Sequence, residues 1–254
     1  MELTKEQYEM IREYLPVQRG NVSMDNLNVL NAILYVAEHG CKWRGLPKRF
    51  GNWHTLYTRM NRWSKSGVLA RVFEQLQKHQ MIRVRVETVG LDSTIIKVHP
   101  DGTGALKKTA RKPLAKALGG WTTKLHLVAA DSRHAFTLSV SPGNAADGVE
   151  GRKLLEGWKD IPQGALMVMD RAYEGDQTRQ LVFDLGMIPV VPPKINRLNP
   201  GEYDREVYKK RNEVERLFRR LKGFRRIFSR FEKLDSLFIG FIHFVLIMES
   251  LRLC

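Results

Sequence analysis

Residues 165–175 read ALMVMDRAYEG. A mostly apolar run, Ala165 to Met169, passes directly into Asp170, and Arg171 follows at once. A short apolar run of this length reads as a buried strand. In open α/β sheets, ligands bind outside the carboxyl ends of the strands. Asp170 therefore stands where such a sheet presents its chemistry. An aspartate at a strand end also serves as a turn or helix cap, and the residue alone does not separate the two roles.

The surrounding chain supplies the rest of a sheet. RVRVETVGLDSTIIKVH (83–99) is β-branched and partly alternating, which predicts one or two strands with Asp92 inside them. An Asp in such a strand either faces outward or is held for a purpose. KLHLVAAD (124–131) and AFTLSVSPG (135–143) follow as strands around a turn near Ser132–Arg133. DGVEGRKLLEGW (147–158) reads as a helix, then come the opening strand, a helix near 176–185, a strand at IPVVPP (188–193) and a long helix from about 204. The order β-β-β-α-β-α-β-α predicts a mixed α/β sheet with flanking helices.

A third acid could come from the helix at 204–228. At about 100° per residue, Tyr208, Arg211, Glu215 and Lys222 share one polar stripe beside the apolar Val214, Leu217, Phe218 and Leu221. Glu213 lies about 160° from Glu215 on the same helix, so both cannot serve one site. Glu215 borders the buried face, where an acid can reach a sheet edge. The stripe also reads as an amphipathic helix with an i,i+4 pair, Arg211–Glu215.

Residues 1–82 read as a separate, helical domain, and 83–254 as the α/β domain. Thr4 and Gln7 form a capping box for a helix over 5–15. Ser23 is a candidate cap for a second helix, 24–39, which Gly40 ends. Trp53, Leu56, Tyr57, Met60 and Trp63 repeat at helical spacing, with Arg59, Arg62 and Lys65 on the opposite face. A fourth helix covers 68–79. The third helix reads either as the recognition helix of a helix-turn-helix unit or as a bundle helix with a solvated face. The apolar C-terminal helix, 234–252, is expected to pack against the sheet.

The 254 residues carry a formal net charge of +15. Such an excess calls for a polyanionic partner, nucleic acid or an anionic membrane. The longest apolar run, LFIGFIHFVLIM (237–248), is shorter than the roughly 20 residues a span requires, and the N-terminus lacks an apolar signal core. No membrane partner is expected. Only Cys41 and Cys254 occur, which fits a reducing cytosol and argues against a disulfide framework or a thiolate zinc site. A basic segment at 101–120, with Lys107, Lys108, Arg111 and Lys112, reads either as a linker or as a DNA-contacting arm that orders on binding. His99 and His126 show no ligand spacing.

Taken together, these residues resemble the DDE transposases of bacterial insertion sequences, in the insertion-sequence-five group related to the insertion-sequence-four group. GLDST (90–94) resembles the first Asp motif, and MDRAYEG (169–175) the second, with Ala172 a mild departure. GGWTTKLHLVAADSRHAF (119–136) resembles the family's Gly-rich, TTK-H strand pair, and SPGNAADG (141–148) the turn before its first core helix. YKKRNEVERLFRRLK (208–222) fits the spacing Y-x2-R-x3-E-x6-K at every position. The resemblance implies a ribonuclease-H-like fold after a small helical DNA-binding domain. It implies Asp92, Asp170 and Glu215 as catalytic, metal-holding acids for Mg²⁺, with Mn²⁺ tolerated. It also implies DNA contact by Tyr208, Arg211 and Lys222. The expected partner is double-stranded DNA, at the transposon ends and the target, with a homodimer in the DNA complex and a bacterial cytoplasmic, nucleoid-associated location. Two other readings stay open: a DNA-binding inhibitor or domesticated protein without catalysis, and a ribonuclease-H-like nuclease that cuts without joining.

Overall fold

A computed structural model describes residues 2–18, 24–81, 86–103, 115–117, 120–198, 200 and 202–252, with backbone alone at 80–81 and 115–117. In chain order the helices begin with α1 (Lys5–Arg12), α2 (Asn26–His39), α3 (Trp53–Lys65) and α4 (Val68–Met81). Then follow β1 (Thr88–Val98), α5 (Pro100–Thr103), β2 (Ala115–Ala117), β3 (Gly120–Ala129), β4 (Ala135–Pro142), α6 (Asp147–Glu156), β5 (Leu166–Met169), α7 (Asp176–Asp184) and β6 (Ile188–Val190). The chain ends with α8 (Arg205–Tyr208), α9 (Asn212–Gly223), α10 (Arg225–Phe228), β7 (Ser229–Arg230) and α11 (Asp235–Leu251). These elements form two compact units, one of Met1–His79, Lys97–Lys112 and Leu221–Cys254, the other of Gln80–Ile96 and Pro113–Arg220.

The first unit is helical. The capping box of α1 forms, with the Gln7 N–H donating to Thr4 Oγ1 at 3.2 Å and the Thr4 N–H to Gln7 Oε1 at 3.1 Å. Asp25, rather than Ser23, caps α2 by accepting from the Asn28 N–H at 2.7 Å; Ser23 lies outside the described residues. Gly40 closes α2 in the left-handed region, φ 66°, where a side chain would be strained. The predicted apolar faces are buried, with Leu56, Met60 and Trp63 from α3 and Leu69, Val72 and Phe73 from α4.

Within this unit α11 packs on α3, α2 and α10. It is apolar on every side, so periodicity gave it no preferred neighbour. Phe73 of α4 meets His243 of α11 at 5.4 Å between ring centroids, and burial pushes the His243 pKa down to about 4. A short parallel pairing of Lys97 and Val98 with Ser229 and Arg230 completes the unit.

The second unit is a mixed sheet in the order β2-β3-β1-β5-β6, with β4 paired to β3. The β3–β4 hairpin is antiparallel, as predicted, and β1, β5 and β6 run parallel. Helices cover both faces of β1. Gly90 lies against Val214 of α9, and Gly151 of α6 lies against Leu91 and the ring of Tyr173. Adjacent strand residues point to opposite faces, so α9 and α6 take opposite sides. The core between sheet and α6–α7 includes Val89, Leu91, Leu155, Met167, Met169, Tyr173 and Val182. This is the ribonuclease-H-like mixed sheet with flanking helices.

A methyl group at Gly151 would stand 2.5 Å from Tyr173 Cε1. Gly151→Ala is expected to cost about 1–3 kcal/mol by overpacking, read as a lowered denaturant midpoint; a wild-type midpoint would mean that α6 can retreat freely.

The long helix expected from 204 is broken. A 3₁₀ turn at Lys209–Arg211 separates α8 from α9. Three cations stand side by side there, and the turn winds at about 120° per residue instead of 100°. That brings Tyr208 and Arg211 into line, where an unbroken helix would hold them about 60° apart. In the basic segment 101–120, the described pieces are the end of α5, the backbone of β2, antiparallel to β3, and Gly120 at the start of β3. Lys107, Lys108, Arg111 and Lys112 fall outside the described residues.

Candidate active site

The strand alternation that puts Gly90 against α9 puts Asp92 on the same face, two residues on. In the parallel pairing of β1 with β5, Leu91 stands opposite Met169. Asp92 is the next residue of β1 and Asp170 the first residue past β5, so the two aspartates follow side by side from strands about 4.8 Å apart. Asp170 leaves β5 and accepts the Ala172 N–H, capping the 3₁₀ turn Arg171–Tyr173. The capping role and the sheet-edge position hold at once.

α9 brings the third acid. Arg211 donates to Asp92 Oδ2 at 3.0 Å and also to Glu215, the i,i+4 pair expected on this helix. Asp92 and Glu215 thus share one guanidinium. The Asp92 side chain is 12% exposed. Burial raises its pKa to about 6, against the Ser93 N–H and Arg211, and the charges of Asp170 and Glu215 push the same way as burial. Burial works against the charge on Arg211, but Asp92 and Glu215 outweigh it and raise its pKa. Burial also raises the pKa of Tyr208, opposed by Arg211 and helped by the nearby Asp170. The sheet edge thus collects Asp92, Asp170, Glu215, Arg211 and Tyr208 from three separate stretches of chain. Lys222 follows in the last turn of α9, within the other unit, half-buried and with its pKa lowered by burial.

Among the described residues, no group of three or more His, Cys, Asp or Glu side chains stands ready to hold a metal ion. The donor chemistry nevertheless fits one. The acids are all hard oxygen donors, burial and, to a smaller extent, the charges of Asp170 and Glu215 disfavour the ionised form of Asp92, and a cation already lies between two of the acids. That cation is Arg211, so the acids fit a divalent ion once the guanidinium turns away.

The N-terminal candidates divide. Arg62 and Lys65 are exposed on α3. Arg59 is half-buried and donates to the Met24 carbonyl at 3.3 Å and Asn26 Oδ1 at 3.4 Å, so it ties α3 to the start of α2. His126 is buried, bonded to Ser141 Oγ at 2.8 Å, and burial pushes its pKa down to about 4.

Sequence reading missed residues behind Asp92. Ser93 Oγ donates to Asp147 Oδ1 at 2.7 Å, and Lys124 Nζ reaches the same oxygen at 2.9 Å. Lys124 lies in the TTK-H stretch, the only signal that could have drawn attention to it.

A sheet edge that collects two strand-borne aspartates and a helical glutamate defines a class, and the comparisons agree with it. The family described as "Transposase DDE domain" matches residues 87–248. The chain belongs to that family of DDE transposases. A second family, described as "Putative transposase of IS4/5 family", matches residues 3–73. The chain is 32% identical over 133 residues to the "Putative transposase for insertion sequence element IS6501" of Brucella ovis, covering 52% of this chain and 99% of that protein. It is 33% identical over 118 residues to the uncharacterized protein y4sN of Sinorhizobium fredii, covering 44% of this chain and 90% of that one. Among solved structures, the Mos1 transposase paired-end complex with left transposon end aligns at a TM-score of 0.29 and 11% identity, over 72% of this chain and 64% of that chain. Among the described residues no helix is long and apolar enough to cross a membrane.

Proposed function

We propose that this transposase binds the terminal inverted repeats of its insertion sequence, hydrolyses the phosphodiester at the transposon ends and joins the freed 3′-OH to target DNA. The observation that carries the reading is the placement of Asp92 abreast of Asp170, with Glu215 tied to Asp92 through Arg211. Asp92, Asp170 and Glu215 would hold Mg²⁺, or Mn²⁺ in its place. A divalent ion held there would supply charge stabilisation for the attacking and leaving oxygens of phosphodiester cleavage.

The chain's own groups do the positioning. Arg211 offers a planar fork that suits a phosphate as well as a carboxylate. Tyr208 can donate to a phosphate or stack on a base. Lys222 adds a second cation for the DNA backbone. Residues 1–82 would recognise the ends, with α3 presenting Arg62 and Lys65, and Arg59 holding the helix in place. Residues 83–254 would carry the catalytic acids. Lys107, Lys108, Arg111 and Lys112 would grip the duplex backbone, and a homodimer would bring two ends together in the bacterial cytoplasm.

A strand-transfer assay with pre-cut ends and Mg²⁺ tests the reading. Joining supports it. Cleavage without joining points to a nuclease, and binding alone to a non-catalytic DNA-binding protein.

The raised pKa of Asp92 adds a pH signature. A metal ion needs the carboxylate ionised and must displace its proton below about 6. Mn²⁺ affinity is expected to level off above pH 7 and to fall about tenfold per unit below pH 6. Electron paramagnetic resonance titrations from pH 5 to 8 read this directly. A profile that is flat down to pH 5 would remove Asp92 from the ligand set.

A further inference from the structure

β3 lies beside β1 in the sheet and is buried along nearly its whole length, yet it carries a lysine. The Lys124 side chain is 9% exposed, and its ammonium donates to Asp147 Oδ1 and to the Ala145 carbonyl, each at 2.9 Å. Replacing such a buried pair by apolar residues is often neutral or stabilising. Stability therefore gives no reason for a charge here.

Asp147 is the first residue of α6, where the helix dipole favours an acid. The same Oδ1 that takes the ammonium accepts the Ser93 hydroxyl at 2.7 Å. Ser93 is the neighbour of Asp92, and its backbone N–H donates to Asp92 Oδ1 at 2.8 Å. The start of α6 is thus fastened to the strand that carries Asp92. One turn later Gly151 sits directly on the ring of Tyr173, in the turn that Asp170 opens, and Gly148 lies beneath the carbonyl of Ala172. The Tyr173 hydroxyl is buried, and burial together with the charges of Asp147, Asp92 and Asp170 raises its pKa above the ordinary tyrosine range. One short helix therefore touches both acid-bearing segments, by a polar fastening at one end and by close packing at the next turn.

We propose that Lys124 is a positioning residue for the reaction: with Asp147 it locks the start of α6 onto Ser93 and so sets the separation of Asp92 and Asp170. The proposal rests on the reading of those two acids as metal-holding. Lys124 bonds to Asp147 and the Ala145 carbonyl and acts on the acids through Asp147 and Ser93. Without the ammonium, Asp147 keeps one hydroxyl donor and loses its counter-charge. The α6 end is then free to shift relative to β1 while the Gly151–Tyr173 contact still holds the other strand end.

Two variants in the full chain test this. Lys124→Met keeps the aliphatic stem and removes the charge. Ser93→Ala leaves the Lys124–Asp147 pair intact and cuts only its link to the Asp92 strand, so it answers the question even if the first variant folds poorly. Mn²⁺ binding is followed by electron paramagnetic resonance, duplex binding by anisotropy, and folding by thermal melting. Both variants are expected to need about 10- to 100-fold more Mn²⁺ for half-saturation, the loss seen when groups supporting metal ligands are removed, with duplex binding unchanged. Lys124→Arg, which keeps the charge, should recover part of the loss. Wild-type Mn²⁺ midpoints in Ser93→Ala, or a Lys124→Met protein that merely melts earlier, overturn the proposal and leave the pair a packing feature. Asp170→Asn runs alongside. If that variant keeps wild-type Mn²⁺ affinity, the carboxylate reading itself fails, whatever the Lys124 and Ser93 variants do.

Discussion

Asp170→Asn should abolish cleavage at the transposon end and leave end binding intact. The substitution is nearly isosteric and removes one negative charge at the sheet edge. The amide oxygen of Asn can still accept the Ala172 N–H, so the 3₁₀ turn after β5 keeps its cap. The fold is therefore spared, and the change isolates chemistry. A divalent ion supplies several kcal/mol of charge stabilisation to a phosphoryl transition state. Losing about 4 kcal/mol of it lowers the rate by about three orders of magnitude, at 1.36 kcal/mol per tenfold. Cleavage of a labelled end duplex gives the rate, and anisotropy gives the binding. A variant that cuts at the wild-type rate would reduce Asp170 to the cap it also is. One that cuts slowly because it no longer binds DNA would move the residue from the chemical step to recognition.

The two aspartates were legible because each interrupts a run that is otherwise apolar or β-branched, and buried strands tolerate few charges. Their juxtaposition was not legible. It depends on the parallel register that sets Leu91 opposite Met169, and register is a property of paired strands. Glu215 could be singled out from Glu213 by helix geometry, and its pairing with Arg211 follows from i,i+4 spacing. The second bond from Arg211, to Asp92, spans 119 residues, and no local pattern announces it. The break at Lys209–Arg211 was missed because no Gly or Pro marks it. The helical partners of α11 within its own unit carry no local signal, because a helix apolar on all sides fits any core. Lys124 and Asp147 were passed over because a lysine in a strand reads as an outward face. Only the packing of α6 against β1 shows the ammonium to be enclosed.

Removing Arg211 should separate two roles that the wild-type side chain holds together. Its guanidinium lies between Asp92 and Glu215 and offsets the repulsion that a divalent ion would otherwise relieve. A phosphate at the DNA end competes for the same fork. When the fork turns to phosphate, the acids are left to attract a cation. DNA and metal should then bind cooperatively, and the coupling must be reciprocal, with typical values of about 5- to 150-fold. In Arg211→Gln the DNA-free protein is expected to bind Mn²⁺ about tenfold more tightly than wild type, to bind the end duplex more weakly, and to show no further gain in metal affinity when duplex is added. The comparison belongs at pH 8. Arg211 lowers the Asp92 pKa from the level burial would set, so its loss makes the proton a stronger competitor near neutrality. Arg211→Lys should fall between the two, because an ammonium keeps the charge without the two-armed grip. Mn²⁺ titrations with and without duplex decide the matter. If Arg211→Gln leaves the DNA-free affinity unchanged while the duplex still tightens metal binding, the guanidinium is a DNA contact alone and does not stand in for the cation between Asp92 and Glu215.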